Sequence, residues 1–236
     1  MNINNEIRII DLALYLTKYK AIIIADTHIG YEESLNKQGI MIPRFHFKDL
    51  IQRIEKILKK VKPDTIIING DVKHELGTIS EQEWRHTLKL LDFLSKKCKN
   101  LILIKGNHDK FLGPIGKKRN LEIVEELIID DILITHGDKI PEIAQNKNIK
   151  KIIIGHEHPA IGLREKARIE TFKCFLVGRW KDKTLIVQPS LNLVTEGTDV
   201  SKEKLLSPFL KQDLSNFGCY IAADKVYKFG KLKNLR

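Results

Sequence analysis

The stretch "LILIKGNHD" (residues 101–109) carries four apolar residues through one lysine into a glycine, an amide, an imidazole and a carboxylate. Taken alone, a strand closing in a turn explains it, because Gly and Asn tolerate left-handed backbone and Asp can bond its own backbone nearby. The same event recurs, however, in "AIIIADTH" from Ala21, "TIIINGD" from Thr65, "ILITHGD" from Ile132 and "KIIIGHEH" from Lys151. Continuous β-branched runs of this length suit strands covered on both faces.

Helical patterns lie between the strands. After Pro43, apolar residues at Phe47, Leu50, Ile51, Ile54, Ile57, Leu58 and Val61 fall at helical spacing, Lys48, Arg53 and Lys59 take the other face, and Pro63 ends the run. Ser80 and Glu83 have the spacing of a capping box and open a second helix through Trp84, Leu88, Leu91 and Leu94. Strands alternating with helices predict an α/β fold. From about Arg164 the pattern changes, and "TFKCFLVGRW", "TLIVQPS" and "CYIAADKVYKFG" read as further strands. No repeat or linker interrupts the chain, so residues 1–236 are expected to form a single domain.

With 236 residues, 42% hydrophobic and 30% charged, the chain can bury one large core. No apolar run is long enough to span a membrane and none follows a basic leader, so a cytoplasmic location without membrane association is expected. Cys98, Cys174 and Cys219 lack paired spacing, which argues against a disulfide framework or a thiolate metal site. The net charge of +11 favours an anionic partner such as nucleic acid or a nucleotide. Lysine- and isoleucine-rich composition equally suits a protein from a hot environment, where surface charge serves stability. Local basic concentrations are "GKKRN" (116–120), "KNIKK" (147–151) and the tail from Lys225. The 7% aromatic content is not interleaved with basic residues as a base-stacking surface requires.

Six of the eight histidines, His28, His74, His108, His136, His156 and His158, stand at or just beyond strand ends, with Asp26, Asp71 and Asn107. In extended backbone, residues two apart point the same way, so Asp26 with His28 and His156 with His158 are each expected to present two ligands to one site. Loops beyond the carboxyl ends of strands are where sites in α/β sheets form. Imidazole, carboxylate and amide ligands without thiolate suit Mn²⁺, Fe or Zn²⁺ better than Ca²⁺. There are too many for one tetrahedral zinc. Two adjacent ions sharing a carboxylate are expected, an arrangement that can hold a hydroxide at neutral pH and neutralise phosphoryl oxygens.

"ADTH", "NGDVKH", "KGNHD", "THGD" and "GHEH", in this order, resemble the five blocks of the calcineurin-like metallophosphoesterase superfamily. The resemblance implies a four-layer α-β-β-α sandwich of two mixed sheets flanked by helices. It implies that Asp26, His28 and His158 hold one ion, that Asn107, His136 and His156 hold the other, and that Asp71 bridges them. The ions would be divalent, Mn²⁺ first, with Fe, Zn or Ni as alternatives. His108 would be the non-ligand histidine that stabilises or protonates the leaving oxygen, oriented by Asp109, and Asn107 would also contact substrate. His74 has the "GDxxH" spacing of the repair-nuclease relatives, a resemblance that implies a role near substrate phosphate, with a packing role as the alternative. A narrower resemblance to the SbcD-related, or ligase-associated, prokaryotic phosphoesterases rests on "DTHIGYEESLNKQGIMIP", "GHEHPAI", "CFLVGRWKDKTLIVQPSLN" and "GTDV".

The expected activity is hydrolysis of nucleotide or nucleic-acid phosphodiesters by a metal-bridging hydroxide. The alternatives are a DNA-repair exo- or endonuclease, a 2′,3′-cyclic nucleotide phosphodiesterase, a phosphomonoesterase, and a non-catalytic metal-binding scaffold. A repair protein, ligase or helicase is a candidate partner. His46 and His86 read as helix-surface or core-edge residues, and Asp138 as a turn residue or a partner of a ligand rather than a ligand itself. Arg44, Arg164, Arg179 and Trp180 read equally as substrate contacts or as solvated and packed side chains.

Overall fold

The computed structural model describes residues 1–42, 45–77, 79–109, 121–165 and 168–235. Pro43, Arg44 and the "GKKRN" segment lie outside these residues. The first sheet has the order β1 (Ile7–Ile10), β2 (Ala13–Leu16), β3 (Ala21–Ala25), β4 (Thr65–Asn69), β5 (Asn100–Ile104) and β6 (Glu122–Val124). Strands β3 to β6 are parallel, while β1 and β2 form an antiparallel hairpin on the edge. The five apolar runs that end in histidine or aspartate are all strands, three of them β3, β4 and β5.

The other two are β8 (Ile132–Thr135) and β9 (Lys151–Ile154) in the second sheet. That sheet also holds β7 (Glu126–Ile129), β10 (Pro159–Glu165), β11 (Arg168–Trp180), β12 (Lys183–Val187) and β13 (Thr198–Asp199), with β14 (Gly218–Ala222) and β15 (Val226–Lys231) branching from β11. It too is mixed, β8, β9 and β12 running parallel and most other pairs antiparallel. The fold is thus mixed α/β with two mixed sheets.

Alternation along the strands sorts the side chains of the second sheet onto two faces. Ile132, Ile134, Ile153, Phe175 and Ile186 join the core shared with the first sheet. Leu133, Ile152, Ile154, Cys174, Leu176, Leu185 and Val187 face a second core with Trp180, Phe209 and Phe217. The outer face of the first sheet is covered by α2 (His46–Lys60) and α3 (Glu81–Ser95), through Leu50, Ile54, Ile57, Leu90, Leu91 and Leu94. A short α1 (Tyr31–Lys37) follows β3. Among the described residues, the outer face of the second sheet is covered by 3₁₀ turns, including Glu142–Gln145 and Pro208–Leu210, where the four-layer expectation has helices.

Ser80 caps α3 by accepting from the Glu83 N–H at 3.0 Å. The reciprocal half of the capping box is absent: the buried Glu83 carboxylate accepts instead from the His74 and Glu75 N–H groups at 2.8 and 2.9 Å. The helix start therefore grips a loop that the sequence places at the site.

Phe175 is fully buried between the sheets. Its replacement by Ala removes a large apolar side chain from the layer that joins them, and a loss of roughly 3–5 kcal/mol is expected in urea unfolding. A loss below about 1 kcal/mol would mean that the layer repacks freely.

Candidate metal centre

Strands β3, β4, β5, β8 and β9 all deliver their carboxyl ends to one edge, and the loops there are stitched to one another. Asp26 N–H donates to Gly70 O at 3.1 Å, His28 N–H to Asp71 O at 2.9 Å, and Gly155 N–H to His136 O at 2.8 Å. Asp26, His28, Asp71, His156 and His158 all have positive φ, between 42° and 65°. The expectation of extended backbone at "DTH" and "HEH" is therefore corrected: the strands stop at Ala25 and Ile154, and both residues of each pair are left-handed. His156 and His158 turn to different clusters, one with Asp71 and His136, the other with Asp26 and His28.

Both carboxylates divide their labour. Asp71 Oδ1 accepts from the His108 N–H at 2.9 Å, while Oδ2 lies 3.3 Å from His136 Nε2, 3.7 Å from His28 Nε2 and 4.0 Å from His108 Nε2. Asp26 Oδ2 accepts from the His156 N–H at 3.0 Å. Its Oδ1 is buried without a hydrogen-bond partner, 3.7 Å from His158 Nε2 and 3.6 Å from His136 Nδ1. His28 Nε2 meets His158 Nε2 at 3.2 Å, and His136 Nε2 meets both His156 Nδ1 and Asn107 Oδ1 at 3.1 Å.

An orphaned carboxylate oxygen amid convergent ring nitrogens fits a cation. Burial and the neighbouring His158 hold His28 well below the usual imidazole range, and burial with His136 lowers His156. Both rings thus keep a lone pair to donate. Burial opposes a charge on His136, but the hydrogen-bonded Asp71 and nearby Asp26 raise it to about 9, so positive charge is favoured there.

The position of the Asp71 side chain also explains Gly106. Gly106 opens a tight turn, its carbonyl accepting from the Asp109 N–H at 3.1 Å, but its φ is not positive; glycine is required because a Cβ there would overlap Asp71 Oδ1. Gly70 meets both demands, with φ of 80° and no room for a Cβ against the His136 ring.

His108 is half-buried, and its ring closes a third cluster with His28 and His74. Its Nδ1 bonds the carbonyl oxygen of His74; since a carbonyl can only accept, Nδ1 carries the proton and Nε2 is turned toward Asp71. Asp109 is not its orienter. The buried Asp109 carboxylate accepts from the Val72 N–H at 3.1 Å and the Gly106 N–H at 3.0 Å, clamping two loops. Burial, with Asp71 nearby, pushes it up to about 7. His74 stacks on His108 and lies 4.5 Å from the Tyr31 ring, centroid to centroid. Burial and His108 lower it to about 4.

Other sequence candidates fall elsewhere. His46 is buried, its N–H donating to Glu32 Oε2 at 3.0 Å, and His86 stacks on Phe47. Trp180 packs on Phe209, while exposed Arg179 donates to Asp182 O. Asp138 is half-buried beside the cleft formed by Lys105, Asn107 and Lys139.

Sequence reading missed three supports. Glu83 was legible only as a cap. Buried Glu157, between the two histidines of "GHEH", accepts from the Leu206 and Ser207 N–H groups at 2.8 Å each. Lys173, on β11, donates to buried Ser190 Oγ at 2.7 Å, and burial together with the nearby Arg53 lowers it to about 7. A lysine whose folded pKa lies below 10.5 binds fewer protons folded than unfolded, so its penalty is absent above that pH and grows as pH falls toward 7. Lys173→Met is expected to raise the urea midpoint relative to the parent increasingly from pH 10.5 down to 7, and a difference constant with pH would contradict this.

Against known proteins, the calcineurin-like phosphoesterase family matches residues 19–167. No curated protein matches the chain. Among solved structures, a Pseudomonas putida nuclease, MPE, is 20% identical with TM-score 0.68, covering 94% of this chain and 93% of its own. Aquifex aeolicus AQ665, a protein of unknown function, is 25% identical over 58% of this chain and 78% of its own, with TM-score 0.41. The Escherichia coli phosphoesterase Yfce is 12% identical over 84% of this chain and 86% of its own, with TM-score 0.42. The first of these likenesses shows the fold. The family match spans every strand-end loop that builds the two clusters, and the chain belongs to the calcineurin-like phosphoesterase family.

Proposed function

We propose that the chain is a dinuclear metal-dependent phosphodiesterase acting on nucleotide or nucleic-acid phosphodiesters. The observation that carries this is the pair of clusters sharing one edge, each with its own carboxylate, and Asp71 Oδ2 set between His28 and His136. Asp26, His28 and His158 would hold one ion and Asn107, His136 and His156 the other, with Asp71 between them. Two divalent cations, Mn²⁺ first among candidates, would supply Lewis acidity toward phosphoryl oxygens and make water a nucleophile at neutral pH.

The chain's own groups do the rest. Asn107 has its amide nitrogen available to a phosphoryl oxygen while its Oδ1 faces His136. His108, held by the His74 carbonyl, keeps Nε2 turned toward Asp71; once protonated there, it can give that proton to the departing alkoxide. His74, next to it, contributes to binding the substrate phosphate. Asp109 acts on position alone, by fixing the Val72 and Gly106 backbone on either side of Asp71.

A diester is favoured over a monoester because Asn107 borders an open cleft of about 510 Å³ with room for a second ester group, lined also by Lys105 and Lys139, both paired with Glu125. The P. putida nuclease of similar fold and the narrower SbcD-related resemblance favour nucleic acid within that class. The core shared by the sheets supports taking residues 1–236 as one domain. A DNA-repair protein, ligase or helicase is the partner class proposed.

His108→Ala is expected to retain metal content by elemental analysis and to lower Mn²⁺-dependent hydrolysis of bis-p-nitrophenyl phosphate by roughly 10²-fold or more. Chelation should abolish the parent activity. Full turnover in the variant would sink the role given to His108, and full metal occupancy without hydrolysis of any diester would favour the scaffold reading.

A further inference from the structure

The parallel strands have a second end. Helices α2 and α3 finish at Lys60 and Ser95, each shortly before β4 or β5 begins, so their C-termini gather where β3, β4 and β5 start. Asp64 N–H donates to Lys20 O at 2.8 Å and Asn100 N–H to Asp64 O at 3.1 Å, tying these starts together. Five-residue strands put this pole roughly 15 Å from the ligand loops.

Two cavities flank the end of α2, one reached by Lys60 and the other by Lys59. One, of about 400 Å³, is lined by Arg8, Lys60 and Lys225; the other, of about 490 Å³, is lined by Lys59, Lys62 and Lys97. Among the described residues, none of these six cations has an ion pair or a side-chain hydrogen bond, and Arg8 Nε is buried without a partner. The carboxylates that line the first cavity are engaged: Asp11 by Arg53 at 2.7 Å and Asp224 by the Tyr227 hydroxyl at 2.9 Å. Glu55 is the one carboxylate lining the second.

Helix polarity accounts for Lys59 and Lys60 in the last turn of α2, but not for Arg8, Lys62 or Lys225. Charge that serves stability is mixed in sign and paired. Six cations without a carboxylate partner, of which Arg8, Lys97 and Lys225 lie over the rings of Tyr15, Phe93 and Tyr227, repel one another, and a row of phosphates relieves that repulsion.

We propose that this pole is a second, non-catalytic binding surface for the phosphate backbone of nucleic acid. Its ligand is read by charge rather than by base, since neither cavity is lined by an aromatic ring on which a base could stack. Binding here does not require the metal centre. A long strand gripped at this pole is tethered to the chain independently of what the centre cleaves.

The test is fluorescence anisotropy of a labelled 20-nucleotide oligo-dT with the full chain in EDTA, repeated across salt concentrations. The combined variant Lys59→Glu, Lys62→Glu, Lys97→Glu is expected to bind at least about tenfold more weakly and to lower the slope of log affinity against log salt by about 2. Arg8→Glu with Lys225→Glu should act in the same direction. Hydrolysis of bis-p-nitrophenyl phosphate with Mn²⁺ should be unchanged in both, and Gln replacements at the same positions serve if charge reversal unfolds the chain. Unchanged oligo-dT affinity in both variants would overturn the proposal. So would loss of binding only to phosphatidylserine vesicles, which would mark a membrane-facing pole, or loss of oligo-dT binding only on Lys105→Glu with Lys139→Glu, which would place the contacts at the metal centre.

Discussion

Five of the seven candidate ligands sit in left-handed backbone that an L-residue occupies at a cost of about 1–3 kcal/mol each. What holds them there is the hydrogen bonding of one strand-end loop to the next. Asp26 N–H reaches Gly70 O, His28 N–H reaches Asp71 O, and Asp26 Oδ2 crosses from the first sheet to the His156 N–H of the second. No single loop could maintain this conformation alone. Register in both sheets is therefore a condition of the site, because a one-residue slip in β3 or β9 would send these groups to the wrong face.

Carboxylates carry most of this work, and those of Asp26 and Asp71 carry it twice. One oxygen of each anchors a backbone N–H and the other is left among imidazoles. Asp109, Glu83 and Glu157 use the same chemistry only to clamp backbone, at Val72 and Gly106, at His74 and Glu75, and at Leu206 and Ser207. Asp26, His28, Asp71 and His136 are buried, where electrostatic interactions are strong and reorganisation is small. A pre-set array of this kind suits a cation pair acting on an anionic phosphoryl group.

The strands that build the site were legible because buried parallel strands must be apolar along their whole length, and each one ends on a polar block. The convergence of those blocks followed from the α/β pattern. Their backbone conformation did not, since nothing in "DTH" or "HEH" distinguishes a left-handed turn from extended chain. Asp109 was misread because the family resemblance assigned it to orient His108, whereas its partners are N–H groups, which every residue but proline offers. The β1–β2 hairpin escaped notice because its turn uses Asp11 at φ 58° in place of glycine. The basic pole was hidden because the fold brings together Arg8, Lys59, Lys60, Lys62, Lys97 and Lys225 from parts of the chain far apart in sequence, and of the basic segments that stood out the tail contributes Lys225.

The central claim is that Asp71 lies between two cations held by the strand-end loops. Anomalous diffraction from crystals grown with Mn²⁺ tests it most directly. The account predicts two peaks roughly 3.5–4 Å apart, one beside Asp26, His28 and His158, the other beside Asn107, His136 and His156, with Asp71 Oδ2 touching both. A single peak, or two that Asp71 does not bridge, would contradict it.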